Sequence, residues 1–230
     1  MTFLRAYWKN LILINYEIPQ ELLLPYLPKG TVLDFYNGKC YVSLVGFMFQ
    51  DTKVLGLKLF NHVNFEEVNL RFYVKRNNKR GVVFIKEIVP KPLITFIANS
   101  IYKEHYQTLE MQHRWTYGEK TKNFEYQWLI NDTWQSIAVQ TEKNLSPIPK
   151  NSIEEFITEH YFGYTKHGNT TFEYEVEHLR WQQLKVKRFE IHMDFENTYE
   201  SDFKFLNQSK PESVILATGS KICVKSKKKI

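Results

Sequence analysis

The chain has 230 residues, 43% of them hydrophobic and 24% charged, which excludes intrinsic disorder and allows a sizeable buried core. Aromatic residues make up 16%, a bias that suits pleated, half-buried surfaces and favours a β-rich fold. The formal charge of +6 hints at an acidic partner, but five lysines in the last ten residues (Lys221, Lys225, Lys227, Lys228 and Lys229) carry most of it and read as a solvated tail.

In chain order, "PQELLLPYL" has short helical character interrupted by Pro25. "TVLDFY" and "CYVSLVGFMF" flank Asn37-Gly38, a hairpin signal because both positions tolerate positive φ. "HVNFEEVNLRFYVKR" runs to Asn77-Asn78 and returns as "VVFIKEIV", which is again a hairpin pattern. The spacing in "PLITFIANSIYKEHYQTL" predicts a helix with an apolar stripe from Leu93 to Leu109 after Pro92. Strands follow at "NFEYQWLI", "TWQSIAVQ", "TTFEYEVEHLRW", "KVKRFEIHMDF" and "SVILATGSKICV". Between them, "KNLSPIPKN" reads as a connection, and Ser152 followed by Glu155 is a capping-box pattern opening a short helix. Many strands with short connections favour antiparallel pairing over helical crossovers.

Motif chemistry is sparse. The sequence has no glycine-rich phosphate loop, no nucleophile elbow and no H-E-x-x-H pattern. The seven histidines are scattered, so neither a metal nor a cofactor is expected, although His192 and Asp194 share a strand face. Cys40 and Cys223 lie far apart and give no disulfide framework, which fits a reducing compartment and a cytoplasmic location. The first residues lack an uninterrupted apolar run and no stretch is long and apolar enough to span a bilayer, so neither membrane nor nucleic acid is an expected partner.

The informative feature is polar chemistry on strands that otherwise look buried. In "FEEVNLRFYV" Val68, Leu70, Phe72 and Val74 point one way, and Glu67, Asn69, Arg71 and Tyr73 the other. Glu87 and Lys86 interrupt a second apolar run. Ionised groups in an interior cost several kcal/mol unless paired. These residues therefore face water, form a structural ion pair such as Arg71 with Glu67 or Glu87, or line a ligand pocket. His160 and Tyr161, at the end of the short helix, add groups able to donate, accept or transfer protons. On the strand after them, Glu173, Glu175 and Glu177 alternate as on a solvent face, opposite Phe172, Tyr174, Val176 and His178.

Four segments, "YWKNLILINYEIPQELLLPYLPKGTVLDFYNGKCYVSLVGFMF", "FEEVNLRFYV", "GVVFIKEIVPKPLITFIANSIYKEHY" and "TEHYFGYTKHGNTTFEYEVEHLRW", resemble the YqjF-type family of uncharacterised bacterial proteins, DUF2071. The resemblance implies a mostly β (α+β), acetoacetate-decarboxylase-like fold. Its curved, mainly antiparallel sheet closes into a cone or barrel around a cavity, with a few peripheral helices. Residues 1–220 would form this single domain, with 221–230 holding the end of the last strand and a basic tail. Acetoacetate decarboxylase forms a Schiff base from a lysine that follows an Arg-Glu dipeptide. The nearest counterpart here, Lys103-Glu104, is followed by no lysine through 113, leaving Lys86 or Lys91 as substitutes.

The expectation is a small polar or carboxylate-bearing molecule bound in the cavity. Arg71 would fork onto the carboxylate, aided by Asn69 and Tyr73. The alternative is a lyase- or hydrolase-like enzyme on a small keto acid, with Glu67 or Glu87 as acid or base, assisted by His160 or Tyr161. Assembly into a homo-oligomer stays open.

Overall fold

The computed structural model describes residues 1–230. The strands are β1 Thr2–Ile18, β2 Val32–Leu33, β3 Cys40–Val54, β4 Phe65–Arg76, β5 Lys79–Val89, β6 Tyr106–Thr108, β7 Met111–Tyr117 and β8 Lys122–Ile130. After them come β9 Thr133–Pro147, β10 Phe162–His167, β11 Thr170–His178, β12 Gln182–His192, β13 Ser213–Ala217, β14 Lys221–Lys225 and β15 Lys228–Lys229. Helices are short: α1 Pro92–Ile97, α2 Ile153–Thr158 and α3 Phe195–Thr198.

Seven strands in the order β14-β11-β10-β5-β4-β3-β1 form a barrel, closed where β14 pairs back onto β1. All neighbours run antiparallel except β5 with β10, which are parallel at Gly81 and Val82. The tight β4–β5 and β8–β9 turns place Asn77, Asn78, Asn131 and Asp132 at positive φ, where Asn and Asp are the side chains best tolerated. β1 is long enough to serve two sheets: its first half pairs with β14, and Leu11 to Asn15 pair with β13. From β13 the sheet continues through β12, β9, β8 and β7 as a second layer folded over the outside of the barrel.

This layering explains why β4 is buried on both faces. Val68, Leu70, Phe72 and Val74 point outward into a 28-residue core shared with Phe124, Trp128 and Ile137 of the second layer. Gly46 on β3 lets the layers approach, since a Cβ there would meet Ile137 Cδ1 at 2.7 Å. The inward face belongs to a separate 19-residue core inside the barrel, where Phe156 and Ile157 of α2 pack.

Several features differ from the sequence expectations. Asn37-Gly38 makes a tight turn closed by a Tyr36–Lys39 bridge, but Val32–Leu33 pairs with β4 and not with β3. The helix foreseen over 92–109 stops early: α1 passes into a wide turn at Ala98–Tyr102, and Lys103 takes a left-handed conformation. Tyr106 is then held by Asn99, which donates to its carbonyl at 2.9 Å and accepts from its N–H at 2.8 Å, so 106–108 joins β5 as a parallel strand. The segment "PQELLLPYL" becomes two 3₁₀ turns around Pro25. The basic end is structured rather than frayed. β14 completes the barrel, while Lys225 pairs with Glu177 at 2.9 Å and Lys228 with Glu173 at 3.0 Å. Glu173 is thereby buried, also meeting Lys79 at 2.9 Å, and only Glu175 and Glu177 of the alternating glutamates face solvent.

Candidate functional site

The barrel holds a partly open cavity of about 120 Å³, lined mostly by hydrophobic side chains and entered by a few polar ones. The inward face of β4 supplies Glu67, Asn69 and Arg71; β5 supplies Glu87, whose Cα is registered opposite Asn69. Glu104 and Tyr106 come from the segment after α1, and His160 from the segment after α2.

The three carboxyls are fully desolvated, and each is held away from its usual ionisation. Glu67 is pushed up to about 7 by burial, against the hydrogen bonds it accepts from Asn69 Nδ2 (2.8 Å) and Tyr106 Oη (3.1 Å). Glu104 is also raised to about 7 by burial, while accepting from Thr165 Oγ1 (2.5 Å) and Tyr174 Oη (2.9 Å). Glu87 is raised well above the carboxylate range by burial and by its two acidic neighbours, and its Oε2 has no hydrogen-bond partner. Near neutral pH this acidic cluster therefore carries much less negative charge than its three glutamates suggest.

Arg71 stands beside them without an ion-pair contact, although its charge works against burial at Glu67. The chain's arginine ion pairs run through Arg76, Arg80, Arg114 and Arg180, and Arg71 is in none of them. It is 7% exposed, its Nε is buried without a partner, and its guanidinium lies 5.8 Å from the Tyr73 ring centroid. A structural ion pair with Glu67 or Glu87, one of the sequence alternatives, does not form. The polar face of β4 looks into the barrel and not into bulk water.

His160 closes one end. Its ring packs on Tyr73 and Phe156, with centroids at 4.6 and 5.4 Å, and its Nε2 lies 3.4 Å from Asp34 Oδ2. Burial lowers its pKa to about 4, so the imidazole is neutral, and neither ring nitrogen has a hydrogen-bond partner. Burial would raise Asp34, but the His160 ring at 3.4 Å and the Arg80 guanidinium, whose Nε donates to it at 2.7 Å, outweigh burial and hold the carboxyl below its ordinary range. Part of the cavity wall is aromatic: Trp8 packs on Phe47 at 5.3 Å and on Trp181 at 6.1 Å, and His178 stacks on Trp181 at 4.6 Å.

Of the residues singled out from sequence, Glu67, Asn69, Arg71, Glu87 and His160 converge on this cavity. Tyr73 shares their strand face but does not line it; it donates to Ser43 Oγ at 2.5 Å, and Ser43 donates to Asn15. Tyr161 does not line it either, since its hydroxyl donates to Glu159 at 2.5 Å and its ring stacks on His178. Lys86 points out of the barrel and donates to the Thr198 carbonyl at 2.8 Å, and neither it nor Lys91 nor any other lysine reaches the cavity. His192 and Asp194 also separate: Asp194 caps α3, and no three His, Cys, Asp or Glu side chains cluster as metal ligands.

Sequence reasoning missed Trp8, Asp34, Tyr106 and Trp181, each brought in by non-local pairing with no local signal. Tyr174 and His178 were visible as the face opposite the glutamates of β11, and Glu104 only through its place in the Lys-Glu dipeptide.

Comparison with known proteins agrees with this architecture. The model of DUF2071, described as an uncharacterised conserved protein, matches residues 5–221. The uncharacterised protein YqjF of Bacillus subtilis (strain 168) is 23% identical over 184 residues, covering 77% of this chain and 74% of that one. Acetoacetate decarboxylase from Legionella pneumophila superposes with a TM-score of 0.67 at 12% identity, over 99% of this chain and 87% of its own. The enduracididine biosynthesis enzyme MppR, complexed with pyruvate, gives 0.68 at 8% identity, over 100% and 91%. An acetoacetate-decarboxylase-like enzyme from Sphingomonas wittichii RW1 gives 0.68 at 7% identity, over 100% and 94%. At these identities the likeness to solved structures is one of fold.

Proposed function

For this chain, which belongs to the DUF2071 family, we propose that the barrel is a binding site for a small carboxylate-bearing molecule. One observation carries the proposal: Arg71 is a buried guanidinium facing a cavity without a carboxylate partner of its own. A buried, unpaired charge is costly, and an incoming carboxylate would relieve it through two parallel N–H···O bonds. The raised Glu67, Glu104 and Glu87 support this reading, because carboxyls that are partly protonated near neutral pH compete less for Arg71 and repel an anion less. The unpartnered Asn69 Oδ1 and Glu87 Oε2 offer further hydrogen-bonding sites to the same guest. That the structural neighbour MppR was crystallised with pyruvate fits an anion of this size.

The test is a thermal-shift screen of small carboxylates and keto acids on wild type and Arg71→Ala. Stabilisation of wild type that disappears in Arg71→Ala is expected. No shift in wild type, or a shift that survives the substitution, refutes the proposal.

A second reading is catalysis on a small keto acid. The carboxyl of Glu87, raised and unpartnered beside the cavity, would hold a proton, and neutral His160 beside Asp34 would accept one. With no lysine lining the cavity, a Schiff base has no amine to form on. Borohydride treatment with pyruvate or acetoacetate is expected to leave the protein mass unchanged, and a trapped adduct overturns that expectation.

A further inference from the structure

The cavity is polar at one end and apolar at the other. Arg71, Asn69, Glu87 and His160 hold the polar end. Toward the other end its walls are Phe47, Phe49 and Phe65, with Phe49 and Phe65 stacked at 4.8 Å. Beyond these rings the wall is completed by Phe3, Val54 and Tyr102, which with Tyr174 form a small hydrophobic cluster, and the one carboxyl there, Glu104, is occupied by the hydroxyls of Tyr174 and Thr165. Leu4, Ile97, Val176 and Val224 pack on that cluster while only partly buried, and all four line the cavity, so the cavity reaches the surface through a hydrocarbon collar. Leu59 packs on the same cluster, which brings the loop after β3 to this collar alongside α1.

The surface around the collar also exposes apolar side chains, beside an ion pair from Lys58 of the same loop to Asp51 on β3. The loop exposes Leu55, Leu57 and Phe60, the last at 95%, and the α1 segment exposes Leu93, Phe96 and Ile101. A pocket built only for a small polar anion has no use for a hydrophobic exit, since water leaves such an exit at no gain. A guest whose far end is hydrocarbon gains from every methylene it places there. Arg71 is the one lysine or arginine side chain lining the cavity, so a single carboxylate head has a charged partner there.

We infer that the ligand is a hydrophobic monocarboxylic acid, its head on Arg71 and its tail running between the aromatic walls to the exit beside Ile97 and Leu4. This inference rests on the carboxylate reading above and narrows its ligand class. A cavity of about 120 Å³ takes the head and the first carbons, and longer tails emerge over α1 and the 55–60 loop.

Isothermal titration of the full-length protein with propionate, butyrate, hexanoate and octanoate, beside octanol, tests it. Each methylene buried should tighten binding about fourfold, so hexanoate should bind roughly fifteenfold tighter than butyrate, and octanol should not bind measurably. Equal affinity along the series overturns the hydrophobic tail while leaving the carboxylate site standing. Binding of octanol as tightly as octanoate, or no binding by any acid, overturns the carboxylate site itself. Ile97→Glu places a charge in the collar and should flatten the chain-length dependence, whereas Ile97→Leu should keep it. An unchanged slope in Ile97→Glu shows that the tail leaves elsewhere and overturns the assigned exit.

Discussion

Replacing Glu67 by Gln turns the buried carboxyl into a neutral mimic of its protonated form. The substituted amide keeps an oxygen for Asn69 Nδ2, which lies 2.8 Å from Oε1 of the glutamate. Its NH₂ takes the place of Oε2, 3.1 Å from Tyr106 Oη, so the local packing survives. The consequence is a pH effect whose sign follows from linkage. A carboxyl raised from 4.5 to about 7 on folding contributes stability that is full below the unfolded value and is lost as pH rises through the folded one. At pH 4.5 wild type and Glu67→Gln should therefore be nearly equal in stability. At pH 8.5 the variant should be the more stable, by roughly 3 kcal/mol for a shift of this size and less where ionisation of Glu104 is coupled to it. Urea unfolding at the two pH values measures the difference directly, and a shift of the midpoint by roughly 1 M is expected. A difference that stays constant between pH 4.5 and 8.5 would show that Glu67 is ionised normally, and the account of a largely neutral acidic cluster would fail.

Arg71→Met should weaken binding of a short carboxylate by about a hundredfold or more without lowering the urea midpoint of the ligand-free protein, since the charge it removes is unpaired. A large loss of stability would instead mark Arg71 as a structural residue. Gly163→Ala should cost about 1–3 kcal/mol, read as a lowered melting temperature, because a Cβ there collides with the Tyr174 ring and displaces its hydroxyl from Glu104. A chain ending at Ser220 should lose its cooperative melt in circular dichroism, because β1 and β11 then lose the strand that closes the barrel between them. A sharp transition in that truncated protein would show that closure is dispensable.

The alternation in β4 was legible as two faces, but not where each face went. Period 2 put Val68, Leu70, Phe72 and Val74 together whatever lay outside them, and only the second sheet layer shows why the opposite, polar face could not remain in water. The hairpin at Asn77-Asn78 was legible because its signal is local, a demand for positive φ. The segment after Ile97 was misread for the converse reason. Its residues suit a helix, yet the β5 edge offers Tyr106 to Thr108 backbone partners that a helix would forfeit. The basic end was misread likewise, since its lysines meet Glu173 and Glu177 across strands far apart in sequence. In the cavity, Glu67, Asn69 and Arg71 were found together because one strand carries them. Asp34 beside His160, and Trp8 beside Trp181, are joined only by the closure of the barrel.

The most direct measurement is a crystal structure of the protein grown with a saturating short carboxylate such as butyrate. The expected result is electron density inside the barrel with both carboxylate oxygens within hydrogen-bond distance of the Arg71 guanidinium. A barrel that holds no carboxylate at saturation, with Arg71 turned onto Glu67 or Glu87 instead, would contradict the account.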